Sequence, residues 1–136
     1  MKKALLVWAL FAQFACADVS KAFLNLSNTS IIEGAYVGEG GEPSKQRADY
    51  ELLLKAKDPG ALFAKLFDEA KTNEAKVYAL LGLYESDKKA YRAALKTLNT
   101  DNQSIELIEG CIVGSYTLKW AIQAIENGKL KYIVSH

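Results

Sequence analysis

The sequence predicts a mainly α-helical domain, with short antiparallel helices stacked as irregular α-hairpins in a HEAT-like manner and room for one short β pair. Three observations predict it. Apolar residues recur at helical spacing along most of the chain from Asp18 onward. Between Pro59 and Leu98 that pattern resolves into three helices of roughly 11–13 residues joined by turns of two or three, and such short turns make antiparallel neighbours. Each of these helices is apolar along one stripe, so each needs neighbours to bury it. The letters do not recur at a fixed period, which makes the stack irregular.

Taken in order, Val19 to Leu26 carries apolar residues at 19, 22, 23 and 26, a helical spacing that Ser27-Asn28-Thr29-Ser30 stops. Ile31 to Val37 is short and β-branched enough for a strand, weakened by Gly34. Gly38 to Ser44, with three glycines, a proline and two acids, reads as a loop. Gln46 to Lys57 is a helix with Tyr50, Leu53 and Leu54 inward. Asp58 caps the next helix and Pro59 suits its first position; it runs to about Lys71 with Leu62, Phe63, Leu66, Phe67 and Ala70 on one stripe. Thr72-Asn73 caps a helix presenting Val77, Tyr78, Leu81 and Tyr84, and Ser86-Asp87 starts another presenting Tyr91, Ala94, Leu95 and Leu98.

The segment Ile105 to Val113 fits either a short strand or a helical turn, and as a strand it would pair with 31–37 to close the stack. Ser115 is placed to cap the last helix, which carries Leu118, Ala121, Ile122 and Ile125 and stops at Asn127-Gly128. Lys131 to Val134 ends the chain extended or frayed.

Composition excludes several classes. The chain has 136 residues, half of them hydrophobic and 24% charged, which suits one globular domain. With 17 Lys+Arg against 16 Asp+Glu it has no electrostatic footprint for nucleic acid. Its single His is the C-terminal His136, which argues against His-based zinc sites and His-dependent triads.

Residues 1–17 have the three parts of a secretory signal: basic Lys2 and Lys3, an uncharged apolar run from Ala4 to Ala12, and Ala15-Cys16-Ala17 as an A-x-A-like end. The run is too short to span a membrane, which takes about 20 residues. The expected product is an exported chain, 18–136, periplasmic or secreted, forming a single helical domain with no transmembrane span. Cys16 raises lipoprotein anchoring as the other route, but Gln13 and Phe14 stand where an aliphatic and a small residue are usual, so cleavage after Ala17 is favoured. Cleavage there leaves 15 basic against 16 acidic groups and Cys111 as the one remaining cysteine. Flanked by Ile108, Ile112 and Val113, Cys111 reads first as a small buried hydrophobe. The sharper reading is a reactive thiol or an intermolecular disulfide.

Candidate chemistry is sparse. The Gly38–Ser44 loop lacks the Lys of a phosphate cradle, and Glu39 and Glu42 would repel an anion. Those two acids could form a hydrolytic pair, though no further acid stands on a rigid element beside them. Ser115 lacks the downstream glycine of a nucleophile elbow. The loop acids also lack the ligand spacing of a calcium loop. Tyr78, Tyr84 and Tyr91 fall on helix stripes as core residues whose hydroxyls reach the rim. Trp120 stands one position off the last stripe and, if exposed, is the best single anchor for a partner.

Three segments, Val37-Gly38-Glu39-Gly40-Gly41-Glu42-Pro43-Ser44, Val77-Tyr78-Ala79-Leu80-Leu81-Gly82-Leu83-Tyr84 with Asp87 and Tyr91, and Gly110-Cys111-Ile112-Val113, resemble a family of small exported bacterial proteins. That family includes lipoproteins and an accessory protein of microcin gene clusters. The resemblance implies an exported helical protein linked to microcin production or self-protection, with no catalytic residues to carry over.

Together these readings point to an exported, non-catalytic binding or accessory protein without a cofactor, working on a protein partner in the envelope through Glu39, Glu42 and Trp120. The alternatives are an envelope hydrolase using the loop carboxylates and a structural subunit of an envelope assembly.

Overall fold

The computed structural model describes residues 17–136. The reading of residues 1–16 as most of a signal, and Cys16 with it, lies outside them. The chain runs through helix α1 (residues 17–27), strands β1 (Ile32–Val37) and β2 (Glu42–Pro43), and helices α2 (Lys45–Leu54), α3 (Pro59–Glu69), α4 (Asn73–Ser86) and α5 (Lys88–Thr97). Strands β3 (Ser104–Gly110) and β4 (Ile112–Thr117) and helices α6 (Leu118–Glu126) and α7 (Lys129–Ser135) complete it.

The four strands form one mixed sheet in the order β2-β1-β3-β4. The β1–β2 and β3–β4 neighbours are antiparallel hairpins, whereas β1 and β3 run parallel. The architecture is therefore α/β, not the mainly α stack that the helical periodicity predicts. The expected pairing of 31–37 with 105–113 does form, as β1 against β3, but each strand brings a hairpin partner and the sheet is a full layer.

The physical reason lies in α4. From Glu74 to Leu83 all its residues except Lys76 are buried, on every side of the helix. A helix apolar all round must be covered all round. Helices with one apolar stripe each cannot do this alone. Here α3 and α5 pack on α4 from two sides, while α2, α6 and β3 close the remainder. Ile32, Ile105 and Leu107 turn from the sheet into the same core as Phe63, Leu66, Tyr78 and Leu80.

Capping explains most helix starts. The side chains of Ser44, Asp58, Thr72, Asp87 and Thr117 each accept a backbone N–H of the first turn that follows them, which stabilises each end by about 1 kcal/mol. The last of these differs from expectation. Thr117 caps α6, because Ser115 is two residues inside β4. The helix expected over 46–57 stops at Leu54. The tail does not fray: Gly128 takes φ +81° and starts α7, which buries Leu130, Ile133 and Val134.

Helices α3 and α4 meet closely at Gly82. A β-carbon there would lie 2.3 Å from the Phe63 ring, so α3 and α4 meet where only hydrogen fits. Gly82→Ala should destabilise the protein by about 1–3 kcal/mol through overpacking. Gly40→Ala, in an open turn, should stay within about 0.5 kcal/mol. Urea midpoints of the two variants, measured side by side, check the pair; equal midpoints would contradict the packing.

Candidate docking edge of the sheet

The sequence-predicted residues do not gather at one place. Glu39 and Glu42 are exposed on the β1–β2 hairpin, Glu39 in its turn and Glu42 in β2. Among the described residues neither is fixed by a hydrogen bond, so the loop does not hold them there as a rigid pair. Trp120 lies in α6, beyond the other end of β4. It is half-buried and locked by its surroundings: its ring stacks on Tyr116 at 4.2 Å, and the Lys129 ammonium sits 5.6 Å from its centroid. It is a packed, half-buried residue, not a freely exposed one.

Cys111 is exposed, against the expectation of a buried hydrophobe. The reason is the turn. Glu109 and Ile112 close a two-residue loop, and Gly110 at its first position takes φ +59°. Glycine first with positive φ is the signature of a II′ hairpin turn, whose twist matches its strands. Cys111 is the second loop residue and therefore stands at the tip. Ile112 and Val113 beside it are 77% and 56% exposed, which makes this tip an apolar projection. The tip is also joined to the other hairpin, since Gly38 N–H donates to the Gly110 carbonyl at 3.0 Å. One end of the sheet thus carries Cys111, Ile112 and Val113 next to the turn that holds Glu39.

The hairpin register decides which backbone groups are free. The closing pair of a two-residue hairpin exchanges hydrogen bonds, and such pairs alternate along the ladder. Leu107–Gly114 and Ile105–Tyr116 are therefore bonded pairs, while Ile108–Val113 and Glu106–Ser115 are not. The N–H and C=O groups of Val113 and Ser115 point away from β3, along the edge of the sheet. Their exposure was missed in the sequence because Ile105–Val113 reads as one element. The available signal was the glycine in Gly110-Cys111 between two alternating runs.

A second cluster, unread in the sequence, sits between α2, α4 and α7. Tyr50 donates to Glu85 Oε2 at 2.6 Å, and the Lys131 ammonium lies 2.7 Å from Glu85 Oε1. Oε2 accepts the hydrogen bond and buried Oε1 has, among the described residues, the ion pair alone, so the cluster works as a pin between helices. Burial, reinforced by the Glu85 carboxylate, pushes the Tyr50 phenol well above its ordinary value. Burial does the same for Tyr78 and, together with the Glu126 carboxylate, for Tyr91. Lys131 is also raised, by its contact with Glu85.

No family model, curated protein or solved structure matches this chain.

The raised phenols set the sign of a pH effect. Each is held protonated by the fold, so its contribution is whole below the ordinary value of 10.0 and is lost as pH climbs past it. The raised Lys131 acts in the same direction. Stability should hold up to about pH 10 and fall progressively above it. Tyr50→Phe should cost about 1.5–3 kcal/mol at neutral pH, the range for a hydrogen bond to a charged group. Urea midpoints from neutral pH to about pH 11 check both, and a flat profile above about pH 10 would contradict the first.

Proposed function

We propose that this chain is an exported, non-catalytic binding protein of the bacterial envelope, and that it holds a protein partner along the β4 edge and the Cys111 hairpin tip. The observation that carries the reading is the pairing of an open strand edge with exposed Ile112 and Val113. Edge strands are templates for added strands, and proteins usually guard them with charge, proline or cover. None of the six residues of β4, Ile112–Thr117, is charged or proline.

Export rests on the pattern of residues 1–17. None of the helices among the described residues is long and apolar enough to cross a membrane. The resemblance to small exported proteins suggests a setting beside a secreted toxin, in microcin production or self-protection. Of the loop acids, Glu39 stands in the turn joined to the hairpin tip, while Glu42 lies in β2 at the opposite edge of the sheet.

Crosslinking and affinity capture from the native envelope fraction, with mass spectrometry, tests the reading. One dominant protein should be recovered, and Ile112→Glu with Val113→Lys should abolish its capture. Glu39→Gln with Glu42→Gln should change capture only modestly, since exposed charges contribute about 0–1 kcal/mol. The same spectra should show the chain beginning at Asp18. Capture that ignores the hairpin substitutions would overturn the docking edge, and a lipid-modified Cys16 would overturn release.

A further inference from the structure

We propose that the β4 edge pairs with the β4 edge of a second copy of this chain, antiparallel, about a two-fold axis through Gly114. This rests on the reading of β4 as a docking edge and commits it to one occupant.

The two edges of the sheet are treated differently. At β1 the edge is guarded: β2 is two residues long and contains Pro43. Where β2 does not reach, the Gln46 side chain donates to the Ile31 carbonyl at 2.9 Å and accepts the Glu33 N–H at 3.2 Å. At β4 no such guard stands among the described residues. The difference leaves one strand built to be continued.

Bonding across the new seam needs outward backbone groups on both sides, which lets Val113 and Ser115 face each other or themselves. The register that centres the seam on β4 sets Val113 of one copy against Ser115 of the other, and each such pair exchanges two hydrogen bonds. The pattern then closes on itself, with Gly114 opposite Gly114 at the close, non-bonded position. Ile112 of one copy falls opposite Tyr116 of the other. Tyr116 carries the ring that stacks on Trp120, so the 77%-exposed Ile112 comes beside its partner's half-buried tyrosine as a cross-strand pair. The turn end carries the exposed Glu109, on β3 one strand behind the seam, and the two-fold lays that end beside the far end of the partner strand, where Lys119 and Asp101 make an exposed 3.8 Å contact. The interface is small, so the dimer belongs to the weak, concentration-dependent class.

This arrangement separates the two Cys111 thiols by six residues along the seam, about 20 Å at strand rise. The dimer is therefore not a Cys111 disulfide and survives reductant.

The test uses the chain expressed with its own N-terminal segment and purified as the producing cell leaves it, with Cys111→Ser as background. Val113→Cys and Ser115→Cys are made separately. Facing residues of a bonded pair are about 5.5 Å apart, within disulfide reach, whereas like residues two positions off register are not. Mild oxidation should crosslink the mixture of the two variants and neither variant alone. By sedimentation, Ser115→Pro, which removes one outward N–H per copy, should weaken association at least about tenfold with the circular dichroism unchanged. A monomer at all concentrations, or crosslinking no better in the mixture than in either variant alone, would overturn the dimer. If the chain is monomeric yet the hairpin substitutions still abolish capture of another protein, the docking edge stands and only the self-pairing falls. If neither occurs, both fall.

Discussion

The rest of the structure depends on the burial of α4. Val77, Tyr78, Ala79, Leu80, Leu81 and Leu83 point to every side of that helix and are almost wholly excluded from water. Removing a Leu or Val side chain from water contributes about 1.5–3 kcal/mol each, but only where a neighbour covers it. The elements packed on it, α2, α3, α5, α6 and β3, therefore have positions assigned by the side of α4 that each covers. Gly82 sets the distance on the α3 side, where the Phe63 ring comes closer than any β-carbon would allow. Ile32, Ile105 and Leu107 supply the sheet side. A flat layer suits that side because a sheet covers the length of a helix without a second row of turns.

Placing a helix against the ends of short strands leaves backbone groups without strand partners, and buried polar groups must be satisfied. The structure meets this with side chains from the helices. Gln46 stands beside β1 as a piece of strand would, and its amide oxygen also accepts the Tyr78 hydroxyl at 2.6 Å. Glu74, buried in the first turn of α4, accepts the Glu106 N–H at 3.0 Å. Asn73 next to it donates to the Ser104 carbonyl at 3.2 Å. Helix and sheet are thus joined by directional contacts as well as by packing. These bonds fix the rotation of α4 relative to the strands, which apolar packing alone leaves free to slide.

What was legible in the sequence was local. Caps at Asp58, Thr72 and Asp87 and the stop at Asn127-Gly128 mark their helix boundaries because each acts within one turn. The strand character of 31–37 was legible through its β-branched residues. The sheet was not, for two physical reasons. Val77-Tyr78-Ala79-Leu80-Leu81 satisfies a one-stripe template, and the template ignores the apolar residues off the stripe that signal burial on all sides. Ile105 to Thr117 contains a turn of only two residues, so its two strands read as a single ambiguous run. Cys111 was misplaced for the same cause: apolar neighbours in sequence imply burial only when they share a face, and a turn sends them outward. The α7 segment gave little signal, since Lys129, Lys131 and Tyr132 interrupt its apolar residues and its helicity comes from packing Leu130, Ile133 and Val134.

The same asymmetry that organises the core also locates the candidate site. Helices follow β1 and β2 closely in the chain, and one of them, α2, is near enough to lend Gln46 to that edge. Strand β4 is followed at once by α6, which the Thr117 cap turns back toward the core. That turn carries Tyr116 and Trp120 inward as a stacked pair and leaves the outer side of β4 without cover. An edge exposed by topology alone would be expected to carry a lysine, a proline or a bulge as protection. Instead β4 is uncharged, its bonding pattern is regular to the turn, and its most exposed residues are Ile112 and Val113. Exposed branched apolar side chains beside edge groups bonded only to water leave apolar burial and strand hydrogen bonds to be gained when a strand is added. Strand addition is therefore the interaction for which this surface is physically suited.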